Sequence, residues 1–208
     1  MQLINLYDYL EISAQKAEET MISLSGNCDG IPYDEKNLVY KASEAFLKEC
    51  GISARVEIFI DKNIPISAGL AGGSTDAAGT IFGLNKIFGE PLDKMGLHKL
   101  CATLGSDLNV CLEGGCLLAT SRGEKVEKLC DVDMPVSLIK PKELGISAKE
   151  AYTKYAKKDF KPKYDKTEQM LKALQKGDVD AVRTILYNDL EYAVFDDYEE
   201  LQLIKSLY

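Results

Sequence analysis

The sequence contains a single histidine, His98, and none of its six cysteines belongs to a Cys-x-x-Cys pair. Neither His98 nor the cysteines therefore complete one of the usual zinc-binding spacings. In a chain of 208 residues, scattered cysteines serve more often as small apolar residues than as a disulfide framework. We therefore expect no structural metal, and thiols that stay reduced, as in a cytoplasmic protein.

Long apolar runs and basic clusters are also missing. No run reaches the ~20 residues that a membrane span requires, and no signal-peptide pattern opens the chain. Lys and Arg number 25 against 33 Asp and Glu, which gives a net charge of −8. We therefore expect no membrane and no nucleic acid as main partner. Local binding of phosphate stays open, because backbone dipoles form anion sites that net charge does not report.

Apolar periodicity predicts both strands and helices in the first 130 residues. Strands are predicted at 2–12 (a strand pair, or a strand and a bend), at 54–61 and, as turn, strand, turn, strand, at 105–124. Helices are predicted at 37–50, at 74–88 and from residue 93. Near residues 131–135 the pattern of residue types changes. A strand is predicted at 136–139, and the sequence after it is mostly charged and predicted to be helical. We therefore predict two domains, 1–133 and 134–208.

The segment "IPISAGLAGGSTDAAGTIFGLNKIFG" places several glycines directly before a predicted helix. Glycines let the backbone approach a phosphate closely, and a helix start adds unpaired N–H groups and a partial positive charge. Ser74 and Thr75 can offer hydroxyls to phosphate or Mg²⁺, while Asp76 can cap the helix or contact the metal. A purely structural turn is the alternative. The spacing matches neither a P-loop nor a dinucleotide-binding fingerprint.

The stretch "KNIPISAGLAGGSTDAA" resembles the phosphate-binding loop of the GHMP kinases. It is most similar to that of the 4-diphosphocytidyl-2-C-methyl-D-erythritol kinase family, Pro-x-x-x-Gly-Leu-Gly-Gly-Gly-Ser-Ser-Asp-Ala-Ala. Ala71 replaces one glycine and Thr75 the second serine, and we expect both changes to be tolerated. Five further segments resemble the family in the same order: "MQLINLYDYLEI", "NLVYKA", "LGSDLNVCLEGGCLLATSRGE", "KPKELGISAKEAYTKY" and "YNDLEYAVFDDYEELQLIK".

The resemblance implies an α+β, two-domain GHMP-kinase-like fold. Its N-terminal domain would be like the second domain of ribosomal protein S5, and its C-terminal domain would be ferredoxin-like and incomplete. The implied reaction is ATP-dependent phosphorylation of the 2-hydroxyl of 4-diphosphocytidyl-2-C-methyl-D-erythritol, a small-molecule substrate, for non-mevalonate isoprenoid biosynthesis, with Mg²⁺. The implied nucleotide-binding residues are Asn37, Lys62, Gly69, Leu70, Ala71, Gly72, Gly73, Ser74 and Thr75.

The resemblance also assigns roles to individual side chains. Asp107 would be the catalytic residue, contacting the substrate and accepting or orienting the hydroxyl proton. Tyr152 would stack on the cytosine, and Ser74 and Asp76 would hold the metal. The residues alone favour a structural role for Asp107, as the cap of a turn after Gly105.

Two family segments have no counterpart in the sequence. One is an N-terminal Pro-x-Lys-x-Asn-Leu segment that carries a lysine, and the other is a C-terminal Gly-Ser-Gly-rich loop. We therefore expect the chain to correspond to the middle of a kinase. We expect a lowered rate of phosphoryl transfer, and uncovered strand edges through which chains could self-associate. Two alternatives stay open: another small-molecule GHMP kinase, and an inactive homologue that binds nucleotide or a partner chain.

Overall fold

The computed structural model describes residues 1–130, 133–142, 144–158 and 164–207. They divide into two compact units. The first comprises Met1–Ile66 and Leu70–Leu129, and the second comprises Ser67–Gly69 and Cys130–Tyr208. The predicted boundary region includes residues 131–132, which lie outside the described residues. The assignment of domains 1–133 and 134–208 stays a prediction.

The first unit contains five strands and four helices in the part of the chain that is described. In chain order they are β1 (Tyr9–Lys16), β2 (Met21–Gly26), α1 (Leu38–Cys50), β3 (Ala54–Asp61), α2 (Gly72–Ile87), α3 (Lys94–Leu104), α4 (Leu108–Glu113), β4 (Leu117–Thr120) and β5 (Lys125–Lys128). Strands and helices are mixed in this unit, as an α+β fold requires.

A three-stranded sheet with the order β1-β3-β2 forms the centre of this unit. Strand β3 pairs antiparallel with β1 and parallel with β2, and α1 makes the crossover between β2 and β3. Buried and exposed residues alternate along β3, so one face of the sheet packs on the helices. This core includes Phe46 of α1, Ile58 of β3 and Ile81 of α2, each at most 2% exposed.

Several predicted elements are confirmed. Strand β3 has the predicted bounds, 54–61. Helix α1 is capped by Asn37, whose side chain accepts a hydrogen bond from the amide of Val39, and it ends at Gly51 with a left-handed φ of 62°. The helix predicted at 74–88 is present and begins two residues earlier, at Gly72.

Two predictions in the first unit need correction. Strand β2 was not predicted, and the strand predicted within 105–116 is a helix, α4. The successive residues Leu108, Asn109 and Val110 are all buried, which an alternating strand on one sheet face does not produce. A short apolar run such as this one does not distinguish a strand from a helix by its pattern.

The second unit is helical in its described residues. Its helices are α5 (Ala148–Tyr155), α6 (Tyr164–Lys176), α7 (Val179–Ile185), α8 (Glu191–Val194) and α9 (Glu199–Leu207), with a 3₁₀ turn at Phe195–Asp197. The strand predicted at 136–139 is wrong. Val136, Leu138 and Ile139 are each about half exposed, and an isolated segment does not form a strand without a partner to pair with. The described part therefore contains no sheet of a ferredoxin-like domain.

Among the described helices, none is both long and apolar enough to cross a membrane.

Candidate functional site

The glycine loop ends where helix α2 begins, at Gly72. The first bond of the helix runs from the amide of Thr75 to the carbonyl of Ala71 over 2.9 Å. None of the hydrogen bonds formed by the described residues has a backbone amide of residues 70–74 as its donor. These N–H groups are thus free to bind an anion at the positive end of the helix dipole.

The residues of the loop differ in the space around them. A Cβ added to Gly73 would meet nothing within 4 Å, so the backbone is open there. Gly69 has a left-handed φ of 72°, which glycine adopts at no cost. Ala71 has a φ of 53° at the N-cap of α2. The change from the family's glycine to alanine therefore carries strain that the sequence did not predict.

Asp76 does not cap helix α2, which corrects one of its two predicted roles. The residue at the N-cap is Ala71, and Asp76 lies beyond the first helical turn. Its carboxylate is instead part of a buried cluster with Lys62 and Asp8. The Lys62 ammonium lies 3.2 Å from Asp76 Oδ2 and donates a short hydrogen bond to Asp8 Oδ2.

The cluster of Asp8, Lys62 and Asp76 is almost completely shielded from solvent, since the three side chains are 2–5% exposed. The second oxygen of Asp8 accepts hydrogen bonds from the amides of Asn63, at 2.5 Å, and Ile64, at 2.7 Å. Asp76 Oδ1 is buried and accepts no hydrogen bond from the described residues. Asp8 is thus fully bonded, while Asp76 is only partly bonded.

The two carboxyl groups of the cluster titrate differently. Burial raises the pKa of Asp76 to about 7, against the attraction of the Lys62 ammonium, and neighbouring Asp8 raises it further. Burial also acts to raise the pKa of Asp8, but the hydrogen bonds from Lys62 and from the amides of Ile64 and Asn63 outweigh it, so that pKa is lowered. A proton taken up near neutral pH therefore resides on Asp76.

Asp107 lies at the N-cap of α4, next to the first turn of α2. Its side chain forms no capping hydrogen bond, which removes the support for the purely structural alternative. The Thr75 hydroxyl lies 3.4 Å from the sulfur of Cys111, which is one turn after Asp107. Burial raises the pKa of the Cys111 thiol, and the charges of Asp107 and Asp76 raise it further. Both carboxylates therefore lie near this thiol.

The turn between β4 and β5 packs against the segment that carries Asp107. Gly123 in this turn has a φ of 115°, and a Cβ added there would lie 3.2 Å from the carbonyl oxygen of Ser106. Only glycine fits both this conformation and this close approach. The turn thus supports the backbone immediately before Asp107.

Two further predicted site residues, Asn37 and Tyr152, are distant in sequence from the glycine loop and Asp107. Asn37 caps α1, and its side-chain amide donates to the carbonyl of Pro32 over 2.6 Å. Tyr152 lies on α5 in the second unit and is 62% exposed, so its ring is accessible for stacking. Their roles in binding nucleotide and cytosine stay predictions, as does that of Lys62, whose ammonium is taken up by Asp8 and Asp76.

Asp8 is a site residue that the sequence reasoning missed. It directly precedes β1, and the antiparallel register pairs Tyr9 with Asp61. Asp8 is therefore brought beside Lys62, 54 positions further along the chain. The sequence signal was a charged residue next to each strand, Asp8 before β1 and Lys62 after β3. It indicates a contact only when the pairing of β1 with β3 is known.

The predicted Mg²⁺ ligands do not fit equally well. Ser74 lies in the first turn of α2, is half-buried, and its hydroxyl makes no hydrogen bond to the described residues. The Asp76 carboxylate is shielded and lies beside an ammonium group, so it fits a Mg²⁺ ligand poorly.

Comparison with known proteins agrees with this geometry. The family described as GHMP kinases N terminal domain matches residues 37–115. A 4-diphosphocytidyl-2-C-methyl-D-erythritol kinase from Synechococcus sp. (strain JA-2-3B'a(2-13)) is 42% identical over 207 residues, which cover 95% of this chain and 66% of that protein. The enzyme of the same name from Caldicellulosiruptor saccharolyticus is 37% identical, over 100% of this chain and 70% of that protein.

Solved structures give the same result. A crystal structure of 4-(cytidine 5'-diphospho)-2C-methyl-D-erythritol kinase superposes with a TM-score of 0.67 at 27% identity, covering 96% of this chain and 68% of that chain. A homoserine kinase from Cytophaga hutchinsonii has a TM-score of 0.68 at 19% identity, covering 89% and 64%, and shows the shared fold. The chain spans about two thirds of the length of the relatives that it matches.

The predicted α+β GHMP-kinase fold and the predicted family are therefore both confirmed. The chain belongs to the GHMP kinases, and within them to the family of 4-diphosphocytidyl-2-C-methyl-D-erythritol kinases.

Proposed function

We propose that this chain transfers the γ-phosphoryl group of ATP to the 2-hydroxyl of 4-diphosphocytidyl-2-C-methyl-D-erythritol. The observation that carries the proposal is that the N-terminal ends of α2 and α4 contact each other. The start of α2 offers unpaired amides at residues 70–74, and the start of α4 carries Asp107. The Thr75 hydroxyl and the Cys111 sulfur, 3.4 Å apart, form a contact between the two helices there.

Each group at this place matches a requirement of phosphoryl transfer. The reaction depends on positioning and on neutralising charge rather than on covalent chemistry by the protein. The free amides and the helix dipole would bind phosphate oxygens, and the open backbone at Gly73 leaves room for them. Asp107 would accept the proton of the attacking hydroxyl or orient that hydroxyl toward the γ-phosphate.

The remaining assignments follow from the same proposal. The hydroxyl of Ser74 would help to hold a Mg²⁺ ion, which would supply positive charge to neutralise the phosphates. Tyr152 would stack on the cytosine ring, and Asn37 would lie near the adenine. The proposal places the protein in the cytoplasm, where ATP is present and where its six free cysteines stay reduced.

A second candidate function is nucleotide binding without turnover. Lys62 is the lysine that the sequence places beside the glycine loop, and its ammonium is bound to Asp8 and Asp76. A γ-phosphate at the loop would therefore receive no charge from Lys62 while the cluster is closed. Such a chain would bind nucleotide through its amides and transfer the phosphoryl group slowly.

Titration with ATP and Mg²⁺, with and without the cytidyl substrate, followed by a turnover assay, separates the two candidates. Substrate-dependent release of ADP supports the kinase, and binding without release supports the second candidate. Mevalonate and homoserine serve as competing acceptors, and a preference for either one would contradict the proposed substrate.

A further inference from the structure

The two ends of the glycine loop are joined at its base. Lys62 directly follows β3, and Asp76 follows the first turn of α2, so 13 residues separate them. The Lys62 ammonium lies 3.2 Å from Asp76 Oδ2 and thereby closes the segment into a ring. This contact is almost fully shielded from water, where electrostatic attraction is stronger than in solution, so it restrains both ends.

A third element fixes the same base. Asp8 comes from the segment before β1, and its two oxygens bind Lys62 and the amides of Asn63 and Ile64. A bonded carboxylate of this kind orients the backbone at the entry to the loop. Asp8 therefore acts on the loop from a distant part of the sequence without belonging to it.

The packing of Gly72 shows that the cluster shapes the loop itself. A Cβ at this position would lie 2.8 Å from Lys62 Nζ and 3.0 Å from Ile64 Cγ2. Gly72 is thus required by the protein's own cluster, whereas the space at Gly73 is open. The two adjacent glycines therefore serve different purposes.

The loop also contains backbone that needs restraint. Ser67 and Ala71 are not glycines, yet their φ angles are 52° and 53°. Residues remain in this sparsely populated region only when the surrounding structure holds them there. Ala71 is followed directly by Gly72, whose backbone packs against Lys62 of the cluster.

We propose that Asp8, Lys62 and Asp76 form a positioning cluster that holds the glycine loop in the conformation that receives the triphosphate. In this arrangement Asp8 and Asp76 do not touch the nucleotide, and they act through Lys62 and through the backbone of Asn63 and Ile64. The inference rests on the proposed function, because it assigns the cluster to that same nucleotide site.

The test introduces a substitution at one end of the loop and measures amide hydrogen exchange at the other end. Asp8→Ala should accelerate hydrogen exchange at the Thr75 amide, and Asp76→Ala should accelerate it at Asn63 and Ile64. The amides of Val56 and Ile58 in the centre of β3 report any general loss of stability. Glu11→Ala, on the exposed face of β1, is the matched control. Asp8→Asn, which retains one oxygen for the amides, should lie between wild type and Asp8→Ala.

The same variants are titrated with a non-hydrolysable ATP analogue and Mg²⁺. We expect about tenfold weaker binding in Asp8→Ala and Asp76→Ala, because a disordered loop must be ordered on binding, and no change in Glu11→Ala. If Asp8→Ala does not fold, Asp8→Asn and Asp76→Ala carry the comparison.

Three outcomes overturn the inference. Equal exchange at Thr75 in wild type and the Asp8 variants shows that the cluster does not join the ends of the loop. Faster exchange with unchanged affinity for the analogue shows that the cluster has no positioning role. A wild-type protein that does not bind the analogue overturns the nucleotide part together with the proposed function, while the exchange data still decide whether the ends are joined.

Discussion

The side-chain amide of Asn109 donates a hydrogen bond of 2.7 Å to the backbone carbonyl of Glu124. Asn109 is buried, two residues after Asp107, and Glu124 belongs to the turn between β4 and β5. The bond therefore fixes the turn that supports the Asp107 segment.

Replacing Asn109 with alanine should weaken this support. We expect Asn109→Ala to lower the free energy of unfolding by about 1–2 kcal/mol, because the partly buried carbonyl of Glu124 loses its hydrogen-bond donor, and to lower kcat because Asp107 is held less firmly. Urea denaturation and a turnover assay measure the two effects. Asn5→Ala, which removes an exposed amide, should change stability by less than about 0.5 kcal/mol. Equal effects of the two substitutions would contradict the supporting role.

Substitutions of Asp107 distinguish a catalytic role of this residue from a structural one. Asp107→Asn keeps the shape of the side chain and removes the proton acceptor, so kcat should fall by about 10²- to 10⁴-fold. Since the side chain makes no capping bond, Asp107→Ala should leave the free energy of unfolding within about 0.5 kcal/mol of wild type. A large loss of stability with kcat preserved would favour the capping role instead.

The order of motifs made the fold and part of the site predictable from the sequence. The glycine loop and Asp107 can be recognised from residue type and local spacing. In the structure the loop lies at the start of α2 and Asp107 at the start of α4. The strand at 54–61 was predictable because alternation reports a half-buried strand directly.

The ion cluster was not predictable in the same way. The partners of Lys62 come from segments before β1 and within α2, and only the β1–β3 register and the packing of α2 bring them together. Similarity to a motif gives the type of a residue and does not give the partner of its side chain. For this reason Lys62 was predicted to bind the nucleotide and not to lie between two carboxylates.

Gly72 and Gly73 provide a matched pair for the phosphate loop. Gly72→Ala should destabilise the protein by about 1–3 kcal/mol, because its Cβ would press on Lys62 and Ile64. Gly73→Ala meets no atom within 4 Å and should leave stability unchanged or raise it by up to about 1 kcal/mol. If phosphate approaches the backbone there, Gly73→Ala should nevertheless weaken binding of the ATP analogue. Unchanged affinity in a stable Gly73→Ala protein would place the phosphates elsewhere.

The pKa of Asp76 gives the stability of the protein a defined dependence on pH. In the folded state this pKa is raised from 3.8 to about 7, so between these values the folded state holds one more proton than the unfolded state. Stability from this group is therefore lost as pH rises toward 7, by up to about 1.4 kcal/mol per unit. Asp8 has a lowered pKa, so its contribution is lost only under more acidic conditions.

Asp76→Asn removes this titration and keeps the size of the side chain. The stability of wild type relative to Asp76→Asn should fall by about 2 kcal/mol between pH 5 and pH 8, as measured by urea denaturation at each pH. Asp29→Asn, at an exposed carboxylate, should follow the wild-type pH dependence. Parallel curves for wild type and Asp76→Asn would show that Asp76 is ionised throughout this range, and hence that the Lys62 ammonium outweighs the cost of burial.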